Sequence, residues 1–295
     1  MTGWREAPLP ALPVGLAGWL RVAWRGGVLG GLTYFCLFIL LLVRLAERPL
    51  CGLDRPVSPY ITQFVCRAAF VILRLPLVVR GGPMLEKGAV VANHGSWLDI
   101  FALNAGQRIY FVSKSEVAGW PGIGWLARAT GTLFIRRSGA EAKVQQALFE
   151  DRLRANHRIL FFPEGTSTDS LRLLPFKSTL FAAFFTHGLE HVLHVQPVTV
   201  IYHAPEGQDA RYYGWWGEMD FGSHLLRVLA TSRQGRVEVI FHPPVAVSDF
   251  RDRKALAAHC EAVIRSAHPF GAQGGICPSE IDQQHTFGPQ DRTKA

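Results

Sequence analysis

The chain has 295 residues, of which 48% are hydrophobic and only 18% are charged, and its formal net charge is +8. Ordinary soluble domains carry about 25% charged residues, so this sequence is apolar for a soluble protein, yet it is too mixed for a polytopic membrane protein. Its five cysteines include no CxxC pair and indicate neither a disulfide framework nor a zinc site. One large globular domain with a membrane-facing part, in a reducing environment, fits this composition.

The excess of positive charge is concentrated near the N-terminus. Residues 1–80 contain nine arginines and three acidic residues, arranged around apolar stretches. This arrangement is typical of protein that lies beside anionic lipid headgroups. The sequence has no low-complexity Lys/Arg tract, zinc-finger spacing or RNA-binding signature, so the charge does not indicate a nucleic-acid partner.

Two apolar segments predict a pair of membrane-associated helices within residues 1–80. The first, Val28–Val43, has arginines on both sides, which leaves its orientation open, and it either spans the bilayer or re-enters it. The second, Tyr60–Val79, carries two arginines on one helical face. It is interpreted as an amphipathic helix in the membrane interface, or else as a core helix with two solvated arginines. A break from Pro49 to Pro59 separates the two helices.

From residue 89 onward, short apolar runs alternate with segments of helical periodicity. The predicted strands are Ala89–Ala92, Ile109–Val112, Thr132–Ile135, Arg158–Phe162, Val195–Tyr202 and Arg236–Phe241. The predicted helices are Trp97–Asn104, Gly122–Ala129, Glu141–His157, Ser178–His187 and Asp249–His268. This alternation predicts an α/β domain over residues 81–268, with a layered, partly parallel sheet flanked by helices. Asp249 is the expected N-cap of the last helix, and residues 269–295 are predicted to be a disordered tail.

The segment from Asn93 to Asp99 joins the end of a predicted strand to the start of a predicted helix. On one continuous helix, His94 and Asp99 would point about 140° apart. With His94 in the turn and Gly95 giving the backbone freedom to fold back, the carboxylate can reach the imidazole. Such a pair is a general base with an orienting acid, which takes a proton from a hydroxyl as it attacks a carbonyl. The alternative is structural, with Asp99 capping the helix and His94 packed nearby.

A second polar segment follows another buried strand. Pro163 ends that strand and Gly165 permits a sharp turn, so Glu164 is presented at the strand's carboxyl end, where open α/β sheets place their sites. A glutamate in this apolar setting needs a partner, and Arg136 or Arg137, at the end of a different strand, is the expected one. Arginine suits the recognition of phosphate or carboxylate groups. The presence of Arg136 and Arg137 is explained equally well by a strand end that is exposed to solvent.

These residues belong to motifs that follow one another in a recognisable order. The motifs are Asn93-His94-x4-Asp99, Gly131-x2-Phe134-Ile135-x-Arg137, Phe162-Pro163-Glu164-Gly165-Thr166 and Val195-Gln196-Pro197-Val198. In these motifs, residues 77–244 resemble the glycerophospholipid acyltransferase family typified by 1-acylglycerol-3-phosphate acyltransferase. The resemblance implies a membrane-bound O-acyltransferase that moves a fatty acyl group to the free hydroxyl of a lyso-lipid. The expected acceptor is 1-acyl-sn-glycerol-3-phosphate, giving phosphatidic acid in phospholipid biosynthesis.

The resemblance also implies roles for individual residues. His94 is the general base and Asp99 its partner. The residues implied to bind the acceptor's phosphate region are Arg137, Glu164, Gly165 and Thr166. Pro197 is implied to lie near the acyl donor, and Lys177 is a candidate contact of the donor's phosphates or else a solvated helix start. The implied donor is acyl-CoA or acyl-carrier protein, without metal or other cofactor, at the cytoplasmic face of a bacterial inner membrane.

One departure from the family concerns the acceptor. Many members with a glycerol-phosphate acceptor have Arg directly after Phe-Pro-Glu-Gly-Thr, whereas this chain has Ser167. That change removes a phosphate-binding charge. The segment Tyr213–Phe221 resembles members that acylate lyso-ornithine lipid, whose amino-acid headgroup has less use for the missing arginine. Lyso-ornithine lipid is therefore the alternative acceptor.

Two other classes of function stand as alternatives. A serine-type lipid hydrolase or thioesterase needs a nucleophile elbow such as G-x-S-x-G, which the sequence lacks, and Ser96 is the one serine beside His94. A non-enzymatic membrane-binding module would not need His94 or Asp99.

The histidines within residues 187–194 do not have the HExxH spacing of a zinc site and are interpreted as surface or packed residues.

Overall fold

The computed structural model describes residues 4, 6, 9–10, 13–135, 142–186 and 188–271. The α-helices are α1 (Leu16–Cys51), α2 (Ser58–Leu73), α3 (Asp99–Gly106), α4 (Ile123–Thr130), α5 (Ala142–Arg154), α6 (Phe221–Ala230) and α7 (Arg253–Ala267). The strands are β1 (Leu77–Arg80), β2 (Gly88–Ala92), β3 (Tyr110–Lys114), β4 (Leu133–Ile135), β5 (Ile159–Phe161), β6 (His194–His203), β7 (Arg236–Phe241) and β8 (Val245–Ala246). Short 3-10 helices cover Ser115–Gly119, Leu180–Phe185, Leu189–His191 and Val247–Asp249.

An eight-stranded sheet organises these elements, in the order β1-β7-β6-β2-β5-β3-β4 with β8 beside β6. The neighbours from β6 to β4 pair in parallel, whereas β7 and β8 are antiparallel to β6, and β1 is parallel to β7. The predicted α/β class with a partly parallel sheet is confirmed. Because β2 to β6 all point the same way, their carboxyl ends meet at one edge of the sheet.

Both faces of the sheet are covered, because successive residues of a strand point to opposite sides. Val90 and Ala92 of β2 belong to one hydrophobic cluster, which α2, α3 and α6 complete. Ala89 and Val91 belong to the other cluster, which α5, α7 and Leu180–Phe185 complete. A strand buried on both faces is apolar at every position, which explains why β2 shows no alternation in the sequence.

The N-terminal helix α1 is long and apolar enough to cross a membrane, by length and composition. Its first part is attached to the domain by two arginines. Arg21 donates a hydrogen bond to the carbonyl of Ala230, and Arg25 donates to those of Leu229 and Thr231. Carbonyls at a helix end have no partner within the helix, so the guanidinium groups cap α6 and complement its dipole.

The last part of α1 is attached to the start of α2. Glu47 accepts hydrogen bonds from the amides of Val57 and Ser58. Along the whole of α1, many large apolar side chains remain exposed. On α1 they are Leu16, Trp19, Leu20, Trp24, Tyr34, Phe35, Phe38, Leu41, Leu42, Leu45 and Leu50. An apolar surface of this extent marks an interaction site, in keeping with association with a membrane.

The N-terminal helix boundaries differ from those predicted. Val28–Val43 is only the middle of α1, and the helix continues through Pro49 to Cys51. The predicted helix Tyr60–Val79 is too long. α2 ends at Leu73, where the C-cap residue is left-handed, and the chain then forms the edge strand β1. Residues with high β propensity end the predicted segment, and the sheet partner β7 decides their structure.

In the C-terminal half, two further expectations are corrected and one helix was missed. The segment Ser178–His187 contains a 3-10 helix rather than an α-helix. The N-cap of α7 is Asp252, whose carboxylate accepts hydrogen bonds from the second and third amides after it, and Asp249 lies in a preceding 3-10 turn. Helix α6 was not predicted, although Asp220 caps it in the usual manner. Most of the predicted tail, from residue 272 onward, lies outside the described residues, and the domain limits stay predictions.

Candidate active site

The two polar segments found in the sequence meet at the carboxyl edge of the sheet. Strands β2 and β5 pair in parallel, with Val91 opposite Phe161, so the residues that follow them are neighbours. The amide of His94 donates a hydrogen bond of 2.7 Å to Oε1 of Glu164. The adjacency of these motifs therefore follows from the parallel arrangement of their strands.

Asn93 extends the pairing of β2 with β6 beyond the last residue of the strand. Its Nδ2 donates to the carbonyl of Val200 and its Oδ1 accepts from the amide of Val200, both at 2.8 Å. The side-chain amide takes the place of a peptide group in the ladder, and the backbone is released to turn at His94. The sequence offered no signal for this role beyond the presence of an asparagine at a strand end.

The imidazole of His94 is held from two sides. Its Nδ1 lies 2.7 Å from Oδ2 of Asp99, and its ring stacks on that of Phe162, with centroids 4.0 Å apart and planes at 9°. Asp99 occupies the first turn of α3, and the preceding turn folds its carboxylate back, as expected from the spacing. The side chain of Asp99 is 0% exposed and that of His94 is 18% exposed. Nε2 is therefore the ring nitrogen left for a substrate.

The carboxylate of Asp99 is occupied on both oxygens. Besides the imidazole of His94, Oδ2 accepts hydrogen bonds from the amides of Gly95 and Ser96, at 3.0 and 3.1 Å. Oδ1 accepts a hydrogen bond of 2.5 Å from the hydroxyl of Tyr202. These contacts offset the burial of the charge. Burial and the neighbouring Asp99 raise the pKa of Tyr202 well above its ordinary value, so the phenol stays a donor.

Tyr202 was not identified from the sequence. It is the ninth residue of β6 and lies 103 residues from Asp99 along the chain. A tyrosine among valines and isoleucines at the carboxyl end of a strand is the only signal present. That signal is weak, because aromatic residues are common in strands for packing reasons.

Glu164 supports the backbone around His94 instead of facing an opening. Its Oε1 accepts from the amide of His94 and its Oε2 from the amide of Leu174, both at 2.7 Å. Burial raises the pKa of Glu164 to about 8, although these two hydrogen bonds lower it. Thr168 adds to the support, because its amide and hydroxyl both donate to the carbonyl of His94. The arginine partner expected for Glu164, at residues 136–137, lies outside the described residues.

Two glycines are needed at this edge for different reasons. A Cβ on Gly95 would lie 3.0 Å from Oγ and 3.1 Å from Cα of Ser170, so the close approach of another segment requires glycine there. The φ of Gly95 is not positive, so this close approach, rather than a left-handed conformation, is the observed reason for glycine. Gly165 does have a φ of 75°, and it turns the chain directly after Glu164.

A cavity of about 1010 Å³ opens over His94. Its walls come from the carboxyl ends of β3, β4 and β5, from parts of residues 163–180 and from residues 215–221. Most lining side chains are apolar or aromatic. Besides the histidine, the charged side chains among the described lining residues are Lys114, Lys177, Glu218 and Asp220. An apolar space of this size with a few polar groups suits a lipid-like ligand.

Only some of the predicted site residues reach this cavity. Those that line it are His94, Gly165, Thr166 and Lys177. Asp99 and Glu164 lie behind the wall, each bound to the histidine. Pro197 is buried in the middle of β6 opposite Val91 and does not line the cavity, so the geometry does not support a donor contact there. Arg137 lies outside the described residues.

The serine beside the histidine is placed where it cannot act as a nucleophile. Ser96 is 0% exposed, and its hydroxyl accepts a hydrogen bond from the amide of Leu98. The hydrolase alternative loses the serine on which it depended.

Within the described ranges, no group of three or more His, Cys, Asp or Glu side chains is placed to hold a metal ion.

Comparison with known proteins agrees with this geometry. The Acyltransferase family model matches residues 79–202, which contain both His94 and Glu164. A lyso-ornithine lipid O-acyltransferase from Rhodobacter capsulatus is 62% identical over 261 residues, which cover 88% of this chain and 95% of that protein. The chain belongs to the acyltransferase family. The resemblance inferred from the four motifs is thereby confirmed, and so is the assignment of the chain as an enzyme that transfers acyl groups.

Two more distant members of the acyltransferase family extend the comparison. A 1-acyl-sn-glycerol-3-phosphate acyltransferase from Neisseria gonorrhoeae is 30% identical over 68% of this chain and 77% of that protein. The crystal structure of the 1-acyl-sn-glycerophosphate acyltransferase from Thermotoga maritima covers 90% of this chain and 100% of that chain, with a TM-score of 0.52 and 20% identity. The solved structure shows that this acyltransferase shares its fold.

Proposed function

We propose that this acyltransferase moves a fatty acyl group from a thioester to the free hydroxyl of lyso-ornithine lipid. The observation that carries the reaction is the His94–Asp99 pair, whose imidazole lines an apolar cavity while its carboxylate is fully buried. A base held in one orientation beside an apolar space is what the deprotonation of a lipid hydroxyl requires. Thioesters are reactive acyl donors, so the protein needs no nucleophile of its own.

In the proposed reaction, the imidazole of His94 both accepts and returns the proton. Nε2 of His94 takes the proton of the acceptor hydroxyl while its oxygen attacks the thioester carbonyl. Asp99, bound at Nδ1, stabilises the imidazolium that forms. When the tetrahedral intermediate collapses, the carbon–sulfur bond breaks, and the thiolate takes the proton back from Nε2. The products are an ester and a free thiol, and His94 returns to its starting state.

The acceptor is proposed from the similarity to named relatives and from one residue of the motif. The Rhodobacter relative is aligned over nearly its whole length at 62% identity, against 30% for the Neisseria relative with a glycerol-phosphate acceptor. Ser167, which lines the cavity, stands where many of the latter type have arginine. This evidence supports lyso-ornithine lipid over 1-acyl-sn-glycerol-3-phosphate, which reverses the order drawn from the sequence. Gly165 and Thr166, in the wall beside His94, are proposed contacts of the acceptor.

The donor and the location are proposed from a lysine of the cavity wall and from the cysteines. Lys177 lies in the cavity wall and carries the positive charge that phosphates of acyl-CoA or acyl-carrier protein would meet. Acyl thioesters are made and used in the cytosol, and the four cysteines in the described part of the chain, all unpaired, suit that compartment. The cytoplasmic face of a bacterial inner membrane is therefore the proposed site of action.

One assay tests both the reaction and the acceptor. Labelled acyl-CoA and acyl-carrier protein are each offered with lyso-ornithine lipid or with lysophosphatidate in mixed micelles. We expect kcat/KM to be at least about 10-fold higher for lyso-ornithine lipid, the ratio that a headgroup-specific contact supplies. A preference for lysophosphatidate would refute the proposed acceptor, and hydrolysis of the thioester without transfer would refute the reaction.

Tyr202 should influence the pH dependence of the reaction. In Tyr202→Phe, Oδ1 of Asp99 loses its donor, and the carboxylate keeps more of its negative charge. The imidazolium of His94 is then easier to form, so the acid limb of the kcat/KM profile should move to higher pH. The plateau should fall by less than about 10-fold. Tyr212→Phe is the matched control, because Tyr212 is also buried but bonds to the end of α6. An unmoved acid limb in Tyr202→Phe would contradict the role.

A further inference from the structure

Glu218 occupies an unusual place in the cavity wall. It lies on a turn, residues 215–219, that leads from the site into α6. Within the described ranges, its carboxylate has no hydrogen bond or ion pair, and it is exposed to the cavity that contains His94. Carboxylates on a protein surface need no partner, but one that faces a largely apolar ligand space is positioned for a cation.

The turn that carries Glu218 is fixed to the catalytic segment. The amide of Trp215 donates to the carbonyl of Gly95, the residue after His94, at 3.0 Å. The indole Nε1 of Trp215 donates to the carbonyl of Met219 at 2.9 Å and closes the turn on itself. Gly217, with a φ of 61°, provides the reversal. The backbone of Glu218 is therefore held beside the segment that carries the imidazole, as the position of a specificity residue must be.

The surroundings of Glu218 suit an organic ammonium group. Trp215 and Trp120 line the same cavity, with their rings edge to face at 6.1 Å. Indole faces attract alkylammonium ions, most strongly where water is partly excluded. The side chain of Asp220 is committed to Ser223, whose amide and hydroxyl donate to its Oδ2. Among the described lining residues, Glu218 is thus the carboxylate with both oxygens open to a ligand.

The geometry points to Glu218 as the residue that selects the acceptor by binding its headgroup ammonium, with the indoles of Trp215 and Trp120 beside it. This inference rests on the proposed function. An ornithine headgroup linked through its α-amine keeps a primary δ-amine, which is protonated at neutral pH like that of lysine, and a free α-carboxylate, so the headgroup has no net charge and presents its cation at the end of the side chain. A glycerol-phosphate headgroup has no such cation, and its negative charge would be repelled by Glu218. The residue therefore supplies both attraction to one acceptor and rejection of the other.

The test pairs an enzyme variant with a substrate variant. Wild-type protein and Glu218→Gln are each assayed with lyso-ornithine lipid and with the same lipid acetylated on its δ-amine, which has the same chain but no cation. The wild type should favour the amine over the acetylated lipid by about 5- to 30-fold in kcat/KM, mainly through KM. In Glu218→Gln this ratio should fall at least about 3-fold, to the part of the preference that the indoles supply, because the charged partner of the cation is gone. Activity on lysophosphatidate should not fall.

The control is Glu206→Gln, which removes an exposed carboxylate that does not line the cavity. It should leave the preference for the amine unchanged. If Glu218→Gln folds and keeps the wild-type ratio, the inference is overturned while the proposed acceptor stands. If wild-type protein makes no product from lyso-ornithine lipid but acylates lysophosphatidate, the proposed acceptor and this inference fall together.

Discussion

Replacement of His94 by alanine is expected to lower kcat for acyl transfer by about 10²- to 10⁴-fold, the usual contribution of a general base. The imidazole contacts Asp99 through Nδ1 and Phe162 by stacking. The backbone of residue 94 is held separately, by Glu164 at the amide and Thr168 at the carbonyl, and alanine keeps both contacts. The variant should therefore fold, with a melting temperature within about 8 °C of the wild type by circular dichroism.

The matched control for this variant is His191→Ala. The side chain of His191 is 75% exposed and does not line the cavity, so its removal should leave kcat unchanged. Assays at saturating acceptor separate a loss in the chemical step from a loss in binding. Wild-type turnover by folded His94→Ala protein would show that the imidazole is not the base, and the proposed reaction would need another group.

The candidate site was predictable where local sequence determines it. The strand before Asn93 and the strand before Pro163 are continuous apolar runs that end in turn residues, and parallel strands necessarily bring such ends to one edge. The spacing from His94 to Asp99 then permits only a folded-back turn if the two side chains are to meet. These arguments use neighbours along the chain and a single rule of sheet topology.

The residues that hold the site together were not predictable in the same way. Tyr202 reaches Asp99 because β6 lies next to β2, and Asn93 bonds to Val200 for the same reason. That adjacency depends on the strand order, which periodicity does not reveal. The role of Gly95 depends on the approach of Ser170, from a loop that has no periodic pattern. Contacts between distant segments decided each of these positions.

The N-terminal helices show a related limit. Hydrophobicity located α1 but identified only its apolar middle, because the parts on either side carry polar residues that contact α6 and the start of α2. The positive charge of the N-terminal region suggests that Arg25 lies at a membrane surface. In the structure Arg25 is buried and donates hydrogen bonds to carbonyls at the end of α6. A charge pattern alone does not distinguish an arginine for lipid headgroups from one that caps a helix.

Asp99→Asn should lower kcat by about 10²- to 10⁴-fold while leaving the fold intact, because it removes charge and little else. With its oxygen in the place of Oδ2, asparagine still accepts from the amides of Gly95 and Ser96 and from Nδ1 of His94. Its amino group can donate to the oxygen of Tyr202. What disappears is the negative charge that stabilises the imidazolium, so the acid limb of the rate profile should move to lower pH.

The sign of this shift separates an electrostatic role from a packing role. Asp99→Asn weakens the charge beside His94, whereas Tyr202→Phe leaves more of it on the carboxylate, so the two variants should move the acid limb in opposite directions. A packing defect would lower kcat at every pH by one factor and leave the limb in place. If Asp99→Asn folds, loses activity and shows no shift, the aspartate positions the turn after β2 without stabilising the imidazolium. The proton transfer would then depend on His94 alone.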